Sequence, residues 1–266
     1  MSSIRALVRH WWFLPLILLP QLLPPFASSG YSLLNWGTVN AFILTHPIKG
    51  GFYQLTPLFQ VIPLVLLVLI FLRGQRVSLL FSAYVALAYV LVAFLQNISI
   101  SDRYGFAVCT ANVMTILLLA GLWGWETISP QNEFQFQKKP VWEYWPLPLA
   151  LFSFWLPVNP QTLAPDFNPL YLLTSGAGLS FCMLTPLILA VLLLYFPSVN
   201  KTVLVATAGV GLVMSMGNFF LEFVLYPAWW WIGVLHLPLF VLSFYSLAIA
   251  LIEIVQRTKL LQNIPT

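Results

Sequence analysis

Charge is what this chain has least of. Charged residues make up 7% of its 266 residues and hydrophobic ones 60%, whereas a soluble domain of that length needs several times more charge to cover its surface. A water-soluble enzyme or binding module is thereby excluded, and the mean hydropathy of +0.90 belongs to a chain dissolved in lipid. Cysteine is almost absent as well. Cys109 and Cys182 both fall inside apolar runs, which excludes a disulfide framework or a CxxC site and reads as two small apolar residues. The three histidines, His10, His46 and His236, belong to different faces or depths, so a bis-histidine haem or a His-rich zinc centre is not indicated. No other cofactor or metal is expected. A Walker loop, an HExxH helix and a paired acidic transferase motif are all missing. The net charge of +4 does not point to nucleic acid either, because the eleven Lys and Arg stand singly or in pairs at the ends of apolar runs. That distribution orients a membrane protein and does not bind phosphates.

What is there is a succession of apolar runs. An all-α fold is expected, a polytopic membrane helix bundle of about eight transmembrane helices in a single domain, residues 1–266, with both termini cytoplasmic. The first run follows Arg5, Arg9 and Trp11-Trp12 and ends near Ala27. It reads as an uncleaved helix, the alternative being a secretory signal cut near Ala27-Ser28-Ser29-Gly30. Ser28 to Gln54 reads as an outer loop lying on the membrane surface. The remaining spans are Leu55–Leu72, Val77–Ile98, Phe106–Trp125, Val141–Val158, Leu170–Phe196, Thr202–Leu225 and Trp229–Val255. Arg73-Gly74-Gln75-Arg76 makes the first two of these a tight antiparallel hairpin. Asp102 and Arg103 form an exposed interfacial ion pair in the next link.

Counting charges tests this topology. With eight spans, Arg5, Arg9, Arg73, Arg76, Lys138, Lys139, Lys201, Arg257 and Lys259 fall inside, and only Lys49 and Arg103 fall outside. The bias obeys the positive-inside rule and indicates the cytoplasmic (plasma) membrane.

Depth then selects the functional candidates. Glu222 and His236 are the only acid and the only histidine set well inside an apolar span, on consecutive antiparallel helices joined by Tyr226-Pro227-Ala228-Trp229-Trp230-Trp231. An intramembrane carboxylate is costly and marks function by default. Thr207, Gly211, Ser215, Asn218 and Glu222 recur at helical spacing and form one inward stripe, and Thr174, Gly178, Cys182 and Thr185 form another. Asn218, Asn112, Gln60, Ser175 and Thr174 share the outer half of the membrane and are candidate substrate-binding groups. Together they suggest a polar pocket opening outward. Ser175-Gly176-Ala177-Gly178-Leu179-Ser180 followed by His236 loosely resembles the rhomboid proteases, but Phe181 follows Ser180, so the GxSG of that family is absent.

Two function classes follow, with a third as the baseline. A proton- or cation-coupled carrier of a small molecule would load Glu222 from the outer pocket. A membrane enzyme acting on a lipid-linked or lipid-soluble substrate would use His236 as acid or base, oriented by Glu222. A structural or assembly subunit would use neither. The carrier is favoured because the apolar runs offer an ionisable residue and no evident nucleophile. The expected partners are the lipid bilayer and a small-molecule, ion or lipid substrate.

Overall fold

The protein is seen in a computed structural model that describes residues 13–135 and 138–262. The start of the first run, with Arg5, Arg9 and Trp11-Trp12, lies outside the described residues, and so does the question of a signal segment. From there the chain forms α1 (Phe13–Leu18), a surface helix α2 (Trp36–Thr45), then α3 (Thr56–Arg73) and α4 (Ser78–Asn97). Pro57 stands in the first turn of α3, where its missing N–H costs nothing. Gly74 closes that helix at φ +52°, a conformation that an L side chain resists.

Hydrogen bonds show that α3 and α4 run in opposite directions. The Gln60 and Gln96 side chains, at the start of α3 and the end of α4, both bond to the backbone between Gly178 and Phe181. At the far end, Tyr195 donates to the carbonyl of Ile70 at 3.1 Å, and Phe81 meets Phe134, which meets Tyr195. The helix between them is α7 (Phe181–Leu194), all fourteen residues of which are buried. A helix that is apolar all round belongs at the centre, and here α3, α4, α6 (Pro146–Trp155), α8 (Lys201–Phe219) and α9 (Trp230–Gln262) pack around it.

The outer link is not helical. Ile98–Ser101 (β2) and Gly105–Val108 (β3) form an antiparallel hairpin, and Phe26–Ala27 (β1) pairs with β3, giving the order β1-β3-β2. The all-α expectation is corrected to that extent. Alternation explains it: Ser99 and Ala107 are fully buried while Ile100 and Phe106 face outward, which is the period of a strand. The helix expected from Phe106 therefore begins at Thr110, as α5 (Thr110–Ile128). At the hairpin tip the Arg103 guanidinium lies 5.0 Å from the Tyr104 ring centroid. Among the described residues the ion pairs are Lys139–Glu143, Lys201–Glu253 and His236–Glu222, so the expected Asp102–Arg103 pair is not formed.

Among the described residues, four helical stretches are long and apolar enough to cross a membrane: Thr56–Asn97, Thr110–Ile128, Lys201–Leu225 and Pro227–Glu253. A fifth is the pair Tyr171–Leu179 and Phe181–Leu194, if the 95° bend between them is taken within one crossing. The molecule is a helical membrane protein, but eight spans and cytoplasmic termini are not supported by these helices. The shortfall has physical causes. In the expected span Val141–Val158 only ten residues are α-helical, ending at Leu156 in the left-handed region. Ten residues rise about 15 Å, half of a bilayer core.

Candidate functional site

Three interruptions of helical geometry meet at one level of the bundle. The first is the chain break before α7. A single helical turn, Tyr171–Thr174, gives way to a 3-10 turn, Ala177–Leu179, and then to extended Ser180. Gly178 permits this path, since a side chain there would collide with the backbone of Phe59 on α3. The second is a π-helical turn, Phe220–Leu225, that ends α8, a distortion common at functional sites. The third is Pro238 inside α9, which removes one rung of that helix. Cys182, Glu222 and His236 lie at or within two residues of these interruptions, and all three are less than 8% exposed.

The side chains form a connected set. His236 Nδ1 lies 2.9 Å from Glu222 Oε2 and 2.9 Å from the carbonyl of Ile232. Both neighbours are acceptors, so Nδ1 carries a proton and donates, and in the neutral ring Nε2 is left as the basic nitrogen. The Cys182 sulfur is close enough to the same imidazole to act on its electrostatics, and Asn218 Nδ2 donates to Cys182 Sγ at 3.2 Å. Cys182 is the second residue of α7, where the unpaired amides of the first turn favour negative charge. The set thus brings together a thiol, an imidazole with a free basic nitrogen, and a carboxylate that fixes the ring's orientation.

The sequence-derived candidates separate into two groups and two outliers. Glu222, His236 and Asn218 come together at the thiol. Gln60 and Ser175 come together one turn away: Gln60 Nε2 donates to Ser175 Oγ, and Gln60 Oε1 accepts from the Gly178 amide at 2.8 Å. Their role is to hold the break that delivers Cys182, aided by Gln96 Oε1, which accepts from the Phe181 amide at 2.9 Å. Asn112 donates to Asn97 at 3.0 Å, and Asn97 donates to the carbonyl of Val92, so this pair ties α5 to α4 where the hairpin begins. Thr174 is exposed and donates to the carbonyl of Leu170. The bend in the sixth apolar run turns Thr174 away from the face it would share with Cys182 on a straight helix. The stripe on α8 does face inward: Thr207 accepts from Trp123 Nε1 at 3.1 Å, and Gly211 packs against Ser243 and Leu239. A shallow open depression beside Val61, Val65 and Val68 and a small gap between Leu67, Phe81 and Ile188 are lined by apolar residues.

Sequence reasoning missed Cys182 as a chemical group, because a thiol in an apolar run looks like a small hydrophobe. The signal that could have found it is the small-residue run Ser175–Ser180, which marks a new helix N-terminus two residues before the sulfur. Ser180, the serine singled out by the resemblance to rhomboid proteases, is the cap residue, and its neighbour Cys182 is the one coupled to His236. A second buried acid, Glu126, was also missed. Comparison with protein-family models, with curated proteins and with solved structures finds no match to this chain.

Proposed function

We propose that this protein is a membrane-embedded thiol enzyme that transfers an acyl group from a lipid-linked or lipid-soluble substrate. The observation that carries the reading is the 2.9 Å contact between His236 Nδ1 and Glu222, with the Cys182 thiol next to the same ring. Thiol chemistry needs a base to take the proton and a third group to hold that base. In the first step the S–H proton passes to Nε2 of His236 and the sulfur attacks the substrate carbonyl carbon. The tetrahedral adduct then collapses, the C–O or C–N bond to the leaving group breaks, and His236 returns the proton to that group. Water or an amine releases the acyl group from Cys182 in the reverse sense. Asn218 Nδ2 is positioned to stabilise negative charge next to the sulfur.

Glu222 and His236 lie at the end of the bundle opposite Arg73, Arg76, Lys138, Lys139 and Lys201, so the positive-inside rule puts the site in the outer half of the membrane. Around the π-turn, Phe220, Phe223 and Val224 are exposed on the lipid-facing surface, which suits a substrate arriving from the bilayer.

The test is acylation of the purified protein in detergent micelles by a long-chain p-nitrophenyl ester. One acyl group should appear on Cys182, be labile to hydroxylamine as a thioester is, and vanish in Cys182→Ala but persist in Cys109→Ala. Absence of acyl on Cys182 would refute the thiol mechanism. Uptake of a solute into liposomes that depends on an ion gradient and survives Cys182→Ala would instead favour the carrier, with Glu222 as the proton-binding group.

A further inference from the structure

Lys49 carries a positive charge close enough to this thiol to feel it, and no part of the mechanism above uses it. It sits on the 3-10 segment Ile48–Leu55 that leads into α3. Its Nζ reaches to 4.0 Å from where a β-carbon on Gly176 would stand, over the break that precedes Cys182. Among the described residues, none of the ion pairs includes Lys49. Burial brings its ammonium down to about 8, and the nearby Cys182 sulfur pulls in the opposite sense. Of the carboxylates on the neighbouring elements, Glu222 is engaged by His236 and Asp166 accepts from the Tyr171 hydroxyl at 2.6 Å. Lys49 is half-buried, a partly dehydrated ammonium without a counter-ion is unfavourable, and a chain with so few charges has kept one close to its candidate nucleophile.

We infer that Lys49 makes the site selective for an acyl substrate that carries a monoanionic group, a carboxylate or a phosphodiester, held next to the carbon that Cys182 attacks. One lysine with no arginine beside it matches a single negative charge. A phosphate monoester, carrying nearly two charges at neutral pH, would call for a larger cluster. The position also suits the membrane geometry, since the segment carrying Lys49 joins a surface helix to the first long span, where lipid head groups meet the bundle.

This inference rests on the thiol reading but can fail separately from it. In a Cys109→Ala background, the rate of Cys182 alkylation is measured with iodoacetate and with iodoacetamide, each divided by its rate with free glutathione. In both reactions an S–C bond forms and iodide leaves, so the normalised ratio reports only the charge of the reagent. The expected ratio favours iodoacetate by on the order of tenfold, the effect of one positive charge at intermediate dielectric. Lys49→Gln should bring the ratio to about one, and Lys49→Arg should retain it. Laurate or phosphatidylglycerol should protect Cys182 from iodoacetamide in a Lys49-dependent manner, and whichever does so identifies the source of the anion. A ratio near one in the parent protein, a ratio unchanged by Lys49→Gln, or protection by neither anion would overturn the inference. If Cys182 reacts with neither reagent, the thiol mechanism itself fails.

Discussion

Among the described residues two carboxylates are buried, Glu126 near one end of the bundle and Glu222 near the other, and they are held in opposite ways. Glu126 is fully buried, and both of its oxygens are in use. Oε1 accepts from the backbone amides of Gln131 and Asn132 at 2.7 Å each, and Oε2 accepts from Asn200 Nδ2 at 2.6 Å. Asn132 Oδ1 in turn accepts from the Asn200 amide at 2.8 Å. Glu126 therefore stitches the loop after α5 to the start of α8, with fixed dipoles supplying its charge stabilisation. Glu222 instead faces an ionisable ring that also meets a thiol. Burial alone does not distinguish the two. The partners do: backbone amides and an amide side chain make a carboxylate a structural tie, whereas an imidazole near a sulfur gives it the surroundings that the proposed proton transfer requires.

The largest expected effect breaks the Glu222 side of the comparison at its ring. His236→Gln removes the base and should slow acylation of Cys182 by about 10²–10⁴-fold, the usual range for a general base, with the thermal midpoint of unfolding nearly unchanged. Next comes Glu126→Ala, which leaves three donors unpaired in a buried loop and should destabilise the protein by roughly 3 kcal/mol or more. Acylation per folded molecule should stay at the parent level, and calorimetry beside the acylation assay checks both halves. A smaller loss is expected from Glu222→Gln, about tenfold to a hundredfold. The carbonyl of Ile232 also accepts from Nδ1, so the tautomer survives, and what is lost is the negative charge that stabilises the imidazolium. The smallest effect concerns Lys49. Because its ammonium is held at about 8, below its ordinary value of 10.5, it is charged below that pH and neutral above it. The normalised preference for iodoacetate should therefore decline as pH rises through about 8, thiolate formation cancelling from the ratio. A preference that holds flat to pH 10 would show that another cation is responsible.

The two ends of the molecule were not equally legible in the sequence. The Glu222–His236 contact follows from depth counting, because a short turn between antiparallel helices matches residues at similar distances from it. The α3–α4 hairpin follows from Arg73-Gly74-Gln75-Arg76 in the same way. Glu126 was hidden by its position: two residues before the end of α5, it stands at the edge of the polar stretch from Gln131 to Lys139, whose start it organises. The strands β2 and β3 were hidden because Ile-Ser-Ile-Ser and Gly-Phe-Ala-Val are four-residue segments that merge with the apolar runs on either side until their alternation is examined. The break before α7 was hidden for a related reason. Ser, Gly and Ala are apolar enough for a hydropathy window to pass straight through them, yet they are the residues that allow the backbone of one segment to touch another. With the break unseen, Cys182 read as one position on a long stripe, and its place at a helix N-terminus could not be recognised.

The central claim is that Glu222 and His236 act on Cys182 as one unit. The most direct test is a double-mutant cycle on the rate of Cys182 acylation, using the parent protein, Glu222→Gln, His236→Gln and the double variant in one detergent preparation, with the unfolding midpoint of each recorded alongside. The account predicts that the double variant acylates no more slowly than His236→Gln alone while all four midpoints stay close together. Losses that multiply, or midpoints that fall in step with the rates, would contradict it and make Glu222 a structural tie like Glu126.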